Sequence, residues 1–276
     1  MKTRIISGVV GIIVFICILA LSLNFNFVLA LALAILNAVA IYEMLNNTGL
    51  VKSKVVIITA CVFGALFVAT PAIDELIGIG NILIWMAILY FIYFFIASFL
   101  ALVFYKEMNS AGLFSSLLVP FVLSVAFFSI YFLFTIGSTK LLDFFLIFIF
   151  AWGADTGAYF TGTFIGNHKL APEISPKKTI EGSLGGMVTA VLLAALLGYV
   201  YSSALDVTVS FLRVCISAAV FSVVGMIGDL FTSFIKRDCG IKDFGKIMPG
   251  HGGVLDRFDS VLFIAPFYLL TRLFLM

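Results

Sequence analysis

Charge is what this chain has least of. Only 11% of its 276 residues are Asp, Glu, Lys or Arg, and 63% are hydrophobic, whereas soluble domains carry about 25% charged residues. That shortage excludes an ordinary soluble globular protein. Cysteine is scarce and scattered: Cys17, Cys61 and Cys215 fall in separate apolar runs, Cys239 in a polar stretch, and no C-x-x-C occurs. Neither a zinc site nor a disulfide framework is indicated. The chain also lacks a G-x-x-x-x-G-K-[ST] loop and a dinucleotide fingerprint, so any phosphate handling has to come from elsewhere. A net charge of +2, with no stripe of interleaved basic and aromatic residues, gives no footing for nucleic acid. Nor are there matching broken helices in two halves, the pattern a secondary transporter would show.

Long apolar runs are what the chain does have, and its mean hydropathy is +1.24. A hydrocarbon core about 30 Å thick needs roughly 20 apolar residues per helix, and a β-barrel would show alternation instead of unbroken runs. The expectation is an all-α polytopic integral membrane protein with about nine transmembrane helices, near 4–23, 25–45, 54–71, 81–104, 113–136, 141–162, 183–201, 209–233 and 254–274. The first run is longer than a signal core, lacks a small-residue cleavage site and is followed at once by another, so it reads as a retained helix. Basic residues concentrate on one side of this arrangement: Lys2, Arg4, Lys52, Lys54, Lys106, Lys169, Lys177, Lys178, Lys236, Arg237, Lys242 and Lys246, against Lys140 and Arg213 on the other. The N-terminus is therefore expected in the cytoplasm, as are the polar loops 163–182 and 234–253.

Residues 1–140 read as scaffold helices and 141–276 as the catalytic region. In the first part, Asn37 could line a cavity, Glu43 is expected to be solvated at the interface, and Asp74 and Glu75 fall in an outer loop. The second part is organised around Gly225–Ser260. On a helix through this start, Asp229 and Ser233 lie four apart, and Lys236 and Arg237 follow one turn on. After a loop with Lys242 and Asp243, His251-Gly252-Gly253 opens a helix bearing Asp256, Arg257 and Asp259. Glycines before a helix allow close backbone approach, and the unpaired N–H groups of the helix end favour phosphate. Two carboxylates on separate helices among these cations suit a metal-bound polyphosphate, with Asp229 and Asp256 holding Mg²⁺.

Further candidates precede this stretch. Asp155 stands within an apolar helix end, with Tyr159 one turn away on the same face. Ser175 and Pro176 read as the cap and first residue of a helix, placing Lys177 and Lys178 in its first turn. Cations are disfavoured there, which calls for an anionic partner such as a triphosphate or a lipid phosphate. Gly182, Gly185 and Gly186 suit close helix packing. His168 reads as a solvated loop residue, and His251 as a phosphate contact, a support for Asp256 or a turn residue.

Three of these strings resemble one family. Ser233-Phe-Ile-Lys-Arg, Lys242-Asp-Phe-Gly245, Pro249-Gly-His-Gly-Gly253 and Asp256-Arg-Phe-Asp259, with their spacing, resemble the signature of phosphatidate cytidylyltransferases. Trp152-x-x-Asp155-Thr-x-Ala-Tyr159 and Ser175-Pro-Lys-Lys-Thr-x-Glu-Gly182 resemble the same family. Met248 stands where Leu or Ile is usual, a conservative apolar change. The resemblance implies transfer of CMP from CTP (or dCTP) to phosphatidic acid, giving CDP-diacylglycerol and pyrophosphate. It implies Mg²⁺, leaves open a second cation such as K⁺, and suggests a homodimer. It makes Lys177 the leading phosphate contact of its pair, with Glu181 beside it and Asp259 supporting Asp256. It also implies an active site at the cytoplasmic face of the inner membrane. A CTP-dependent lipid kinase, a synthase acting on another lipid, and a transporter with intramembrane carboxylates remain the alternatives.

Overall fold

Apolar runs of this length fold as helices because a chain in hydrocarbon has to satisfy every backbone N–H and C=O within the segment itself. In the computed structural model they do so throughout. The structure describes residues 2–78, 80–247 and 252–275, with side chains from residue 8 to residue 274. Among these residues the chain runs α1 (Lys2–Ser22), α2 (Asn26–Asn47), α3 (Lys54–Ile77), α4 (Ile82–Val103), α5 (Ser110–Thr135) and α6 (Lys140–Phe148). A π turn (Ile149–Gly153) joins α6 to α7 (Ala154–Ile165), making one rod. Strands β1 (Lys169–Ala171) and β2 (Ser175–Thr179) follow, then α8 (Ile180–Leu205), α9 (Phe211–Asp238) and α10 (Leu255–Leu275).

These make nine helical rods among the described residues, one at each expected span. Seven are long and apolar enough to cross a membrane. The apolar part of α1, Gly8–Ser22, is shorter, and α10 carries Asp256, Arg257, Asp259 and Arg272. The third span was expected to stop at Pro71, but α3 continues through Asp74 and Glu75 to Ile77 and ends on Gly78 in the left-handed conformation. Those two carboxylates are therefore helical rather than in a loop.

A second correction concerns Ser175–Thr179. It is an extended strand, not the start of a helix, and pairs antiparallel with β1 in the register Lys169 to Thr179 and Ala171 to Ser175. Helix α8 begins only at Ile180, and its cap is Thr179, whose hydroxyl accepts the Gly182 N–H at 3.1 Å. Local cap and proline signals suited a helix; pairing across the hairpin and a better cap four residues on decided otherwise.

The chain divides into two compact units, residues 1–131 with 239–257, and residues 132–238 with 258–276. In the first, α2 packs on α3, and α3 on α4. Phe63 stacks on Tyr93 with centroids 4.2 Å apart, and buried Asn37 donates to Gly64 O at 2.9 Å and to the Ser124 hydroxyl at 2.8 Å. In the second, Phe150, Phe221 and Tyr268 form an aromatic triangle with centroids 5.2–5.9 Å apart, packing the π turn, α9 and α10 together.

The contact that positions the site is α7 on α8. Side chains there are small because the backbones nearly touch: a Cβ on Gly186 would lie 2.6 Å from Ala154 O, and one on Gly182 would lie 2.8 Å from Ala158 O. Gly157 faces Thr189 and Gly185 faces Thr161 in the same way.

Candidate active site

In the second unit the π turn sits directly before Asp155. Such a turn accommodates an extra residue and re-aims the side chains that follow it. Asp155 then lines a cavity of about 490 Å³ with Asp229 of α9, Lys169 of β1, Lys177 and Lys178 of β2, Thr179, Tyr159, Ser183 and Ser222. This volume lies within the range of small-molecule sites. Its remaining wall is apolar, including Phe150, Ala151, Met187, Val223 and Met226. Four residues singled out in the sequence, Asp155, Lys177, Lys178 and Asp229, thus share one cavity. Lys169 and the serines were not anticipated, and only the hairpin brings Lys169 there.

The charges in this cavity are matched. The Lys178 ammonium lies 2.5 Å from Asp229 Oδ2, with each side chain about a quarter exposed, at 22% and 25%. Lys177 is exposed, as expected on a strand whose neighbouring side chains alternate in direction. Asp259 of α10 is buried; its Oδ2 is 3.2 Å from the Thr232 hydroxyl, and it senses the charges of Asp229, Asp155 and Lys236. Three carboxylates from three helices therefore act on one another electrostatically, opposed by two lysines. Ser233 and Lys236 are buried and Arg237 is exposed along α9. Glu181 faces a different partner from the one expected: it accepts the His168 backbone N–H at 3.2 Å and lies 2.6 Å from His168 Nδ1. His168, exposed as read from the sequence, thereby fixes the start of the hairpin to α8.

The first unit holds the glycine-rich loop. Lys242 and Asp243 are exposed there, Gly252 has φ +91°, and Arg257 is exposed. His251 and Met248 lie outside the described residues. Asp256 Oδ2 accepts the backbone N–H of Gly253 at 3.0 Å and of Phe244 at 2.9 Å. Glu43 is the finding here. It is 1% exposed, not solvated, and its two carboxylate oxygens accept the N–H of Val254 at 3.2 Å and of Leu255 at 2.9 Å. The space a Cβ would take on Gly245 and Gly253 is filled by this carboxyl. The close approach these glycines permit is to Glu43, and the N–H groups the sequence offered to phosphate are taken by carboxylates of the chain. One turn along α2, the Asn47 amide donates to Phe244 O. A Glu at the end of an apolar run was the only sequence signal, and burial is not readable from it.

The donors present fit a divalent cation of the Mg²⁺ kind. Among the described residues no three acidic, His or Cys side chains form a metal cage of their own; Mg²⁺ is usually held by one or two carboxylates together with substrate phosphates.

The cytidylyltransferase family model matches residues 2–275. The chain belongs to the cytidylyltransferase family. A relative from Staphylococcus aureus (strain COL), named phosphatidate cytidylyltransferase, is 34% identical over 275 residues, 96% of each chain. One of the same name from Bacillus subtilis (strain 168) is 46% identical over 124 residues, a match covering 45% of each chain. This cytidylyltransferase-family chain thus carries the strings of its signature on β2, α8, α9, the glycine loop and α10.

Proposed function

We propose that this chain transfers CMP from CTP to phosphatidate, forming CDP-diacylglycerol and pyrophosphate for phospholipid biosynthesis. It is an enzyme, a nucleotidyltransferase embedded in a membrane. The observation that carries the reading is the cavity's divided lining: lysines and carboxylates beside a wall of Phe150, Met187, Val223 and Met226 suit one highly charged substrate and one with acyl chains.

In the proposed reaction an oxygen of the lipid phosphate attacks the α-phosphorus of CTP in line, the bond to the β-phosphate bridging oxygen breaks, and pyrophosphate leaves. No protein nucleophile is needed, so the residues mainly position two anions and absorb charge. Lys177, Lys178 and Lys169 hold phosphate oxygens in the cavity. Asp229 and Asp256 hold Mg²⁺, which supplies positive charge to the phosphates when bound. Lys236, Arg237, Lys242 and Arg257 complement the phosphates, Ser233, Asp243, His251, Gly252 and Gly253 contact substrate, and Asp155 and Asp259 adjust the charge around Asp229. We place nine spans in the inner membrane with the N-terminus and the site on the cytoplasmic side, where CTP is available. K⁺ as a second cation, use of dCTP and a homodimer belong to the same proposal.

The test uses detergent-solubilised protein, phosphatidate, and CTP labelled separately in cytidine and in the γ-phosphate, with and without Mg²⁺. Cytidine label should enter lipid while γ-label leaves as pyrophosphate, and Asp229→Asn and Asp256→Asn should abolish both. Entry of γ-label into lipid would replace this reading with a lipid kinase.

A further inference from the structure

The geometry points to Glu43 as a positioning residue for Asp256, an internal anion that sets the affinity of the site for its divalent cation. The inference rests on the assignment of Asp256 as a metal ligand. It starts from three successive N–H groups at the entrance to α10. Gly253 N–H goes to Asp256, and Val254 and Leu255 N–H go to the two oxygens of Glu43. A helix N-terminus has unpaired donors and a partial positive charge, so a full carboxylate is the strongest partner it can receive. Burial of Glu43 would be costly in hydrocarbon without those donors.

The same side chain fixes the other half of Asp256's environment. Asp256 also accepts the Phe244 N–H, and Phe244 O is held by Asn47, four residues from Glu43 on α2. Gly245, the next residue, packs directly on the Glu43 carboxyl. Helix α2 therefore grips the loop on both sides of Asp256, through Asn47 at Phe244 and through Glu43 at Val254 and Leu255. One carboxylate oxygen of Asp256 is oriented by two backbone donors whose own positions depend on Glu43. A second consequence follows: with Glu43 seated, the entrance to α10 rejects phosphate, and the anionic substrates are held by cationic side chains instead.

The decisive variant is Glu43→Gln, which keeps the size but can accept with one oxygen only, leaving its NH₂ against the second N–H. Glu43→Asp keeps the charge. With full-length protein in detergent, kcat, the KM for CTP and the half-saturating Mg²⁺ concentration are measured, together with the thermal shift produced by Mg²⁺ without substrates. Glu43→Gln should raise the half-saturating Mg²⁺ about 10- to 100-fold, as loss of a group orienting a metal ligand does. It should shrink the Mg²⁺-induced thermal shift and leave the KM for CTP at saturating Mg²⁺ little changed, and Glu43→Asp should recover part of the loss. Wild-type Mg²⁺ dependence in Glu43→Gln would overturn the inference. So would a loss of activity and stability that is the same at every Mg²⁺ concentration, with Glu43→Asp no better than Glu43→Gln, because that is a purely structural role. If wild-type protein proved inactive on CTP and phosphatidate, the proposed reaction would fall, while the thermal shift would still decide the role of Glu43.

Discussion

Lys178 and Asp229 form an ion pair 2.5 Å long inside the cavity, joining the hairpin to α9. Without that cation, Asp229 faces Asp155 and Asp259 with less compensation. Lys178→Met is expected to lower kcat about 100-fold, the scale of losing one preorganised donor at a site of developing charge. Lys178→Arg should retain a larger share. Steady-state assay of CDP-lipid formation checks both, and an unchanged kcat in Lys178→Met would remove the residue from the site.

A different ion pair serves stability. Asp143 is buried in α6 and accepts from Tyr268 at 2.7 Å and from Arg272 at 2.9 Å, while Arg272 also reaches the Thr139 hydroxyl at 2.7 Å. Breaking such a buried pair by changing one partner costs about 3 kcal/mol. Asp143→Asn should lower the thermal midpoint accordingly, and the double change with Arg272→Met should cost less than the sum of the two single changes.

The α7–α8 contact makes an opposite pair of predictions for two glycines. Gly186→Ala drives a methyl group against the backbone oxygen of Ala154, which cannot swing away, and should cost about 1–3 kcal/mol as overpacking does. Gly11→Ala, with nothing within 4 Å, should leave the thermal midpoint unchanged or higher.

Thr179 links a cap to the chemistry. Its hydroxyl accepts from Gly182 N–H at the start of α8, directly after Lys177 and Lys178. Thr179→Ala should cost about 1 kcal/mol for the lost cap. It should also reduce kcat, and Thr179→Ser should restore both. Normal turnover in a destabilised Thr179→Ala would show that the cap does not govern the lysines.

Some of the site was legible because its chemistry is local. Asp155 inside an apolar run, the lysine pair before a glycine-bearing helix, and Asp229 in a long apolar stretch could each be picked out by type and neighbours. The cavity does collect all four. The hairpin was missed because Ser-Pro before a helical pattern carries a real cap signal, and strand pairing with Lys169–Ala171 leaves no mark on either segment alone. Glu43 was missed for a related reason: its partners lie 211 and 212 residues away.

The sequence by itself determined the membrane helices and the family, because hydropathy summed over about 20 residues is a local quantity and a spaced signature is read directly from the chain. Only the tertiary structure decided which polar groups meet. A carboxylate at the end of an apolar run is stable in water or stable when buried against unpaired N–H groups, and its neighbours in sequence are the same in both cases. Packing α2 beneath the entrance to α10 supplied those donors and settled Glu43 in the second state.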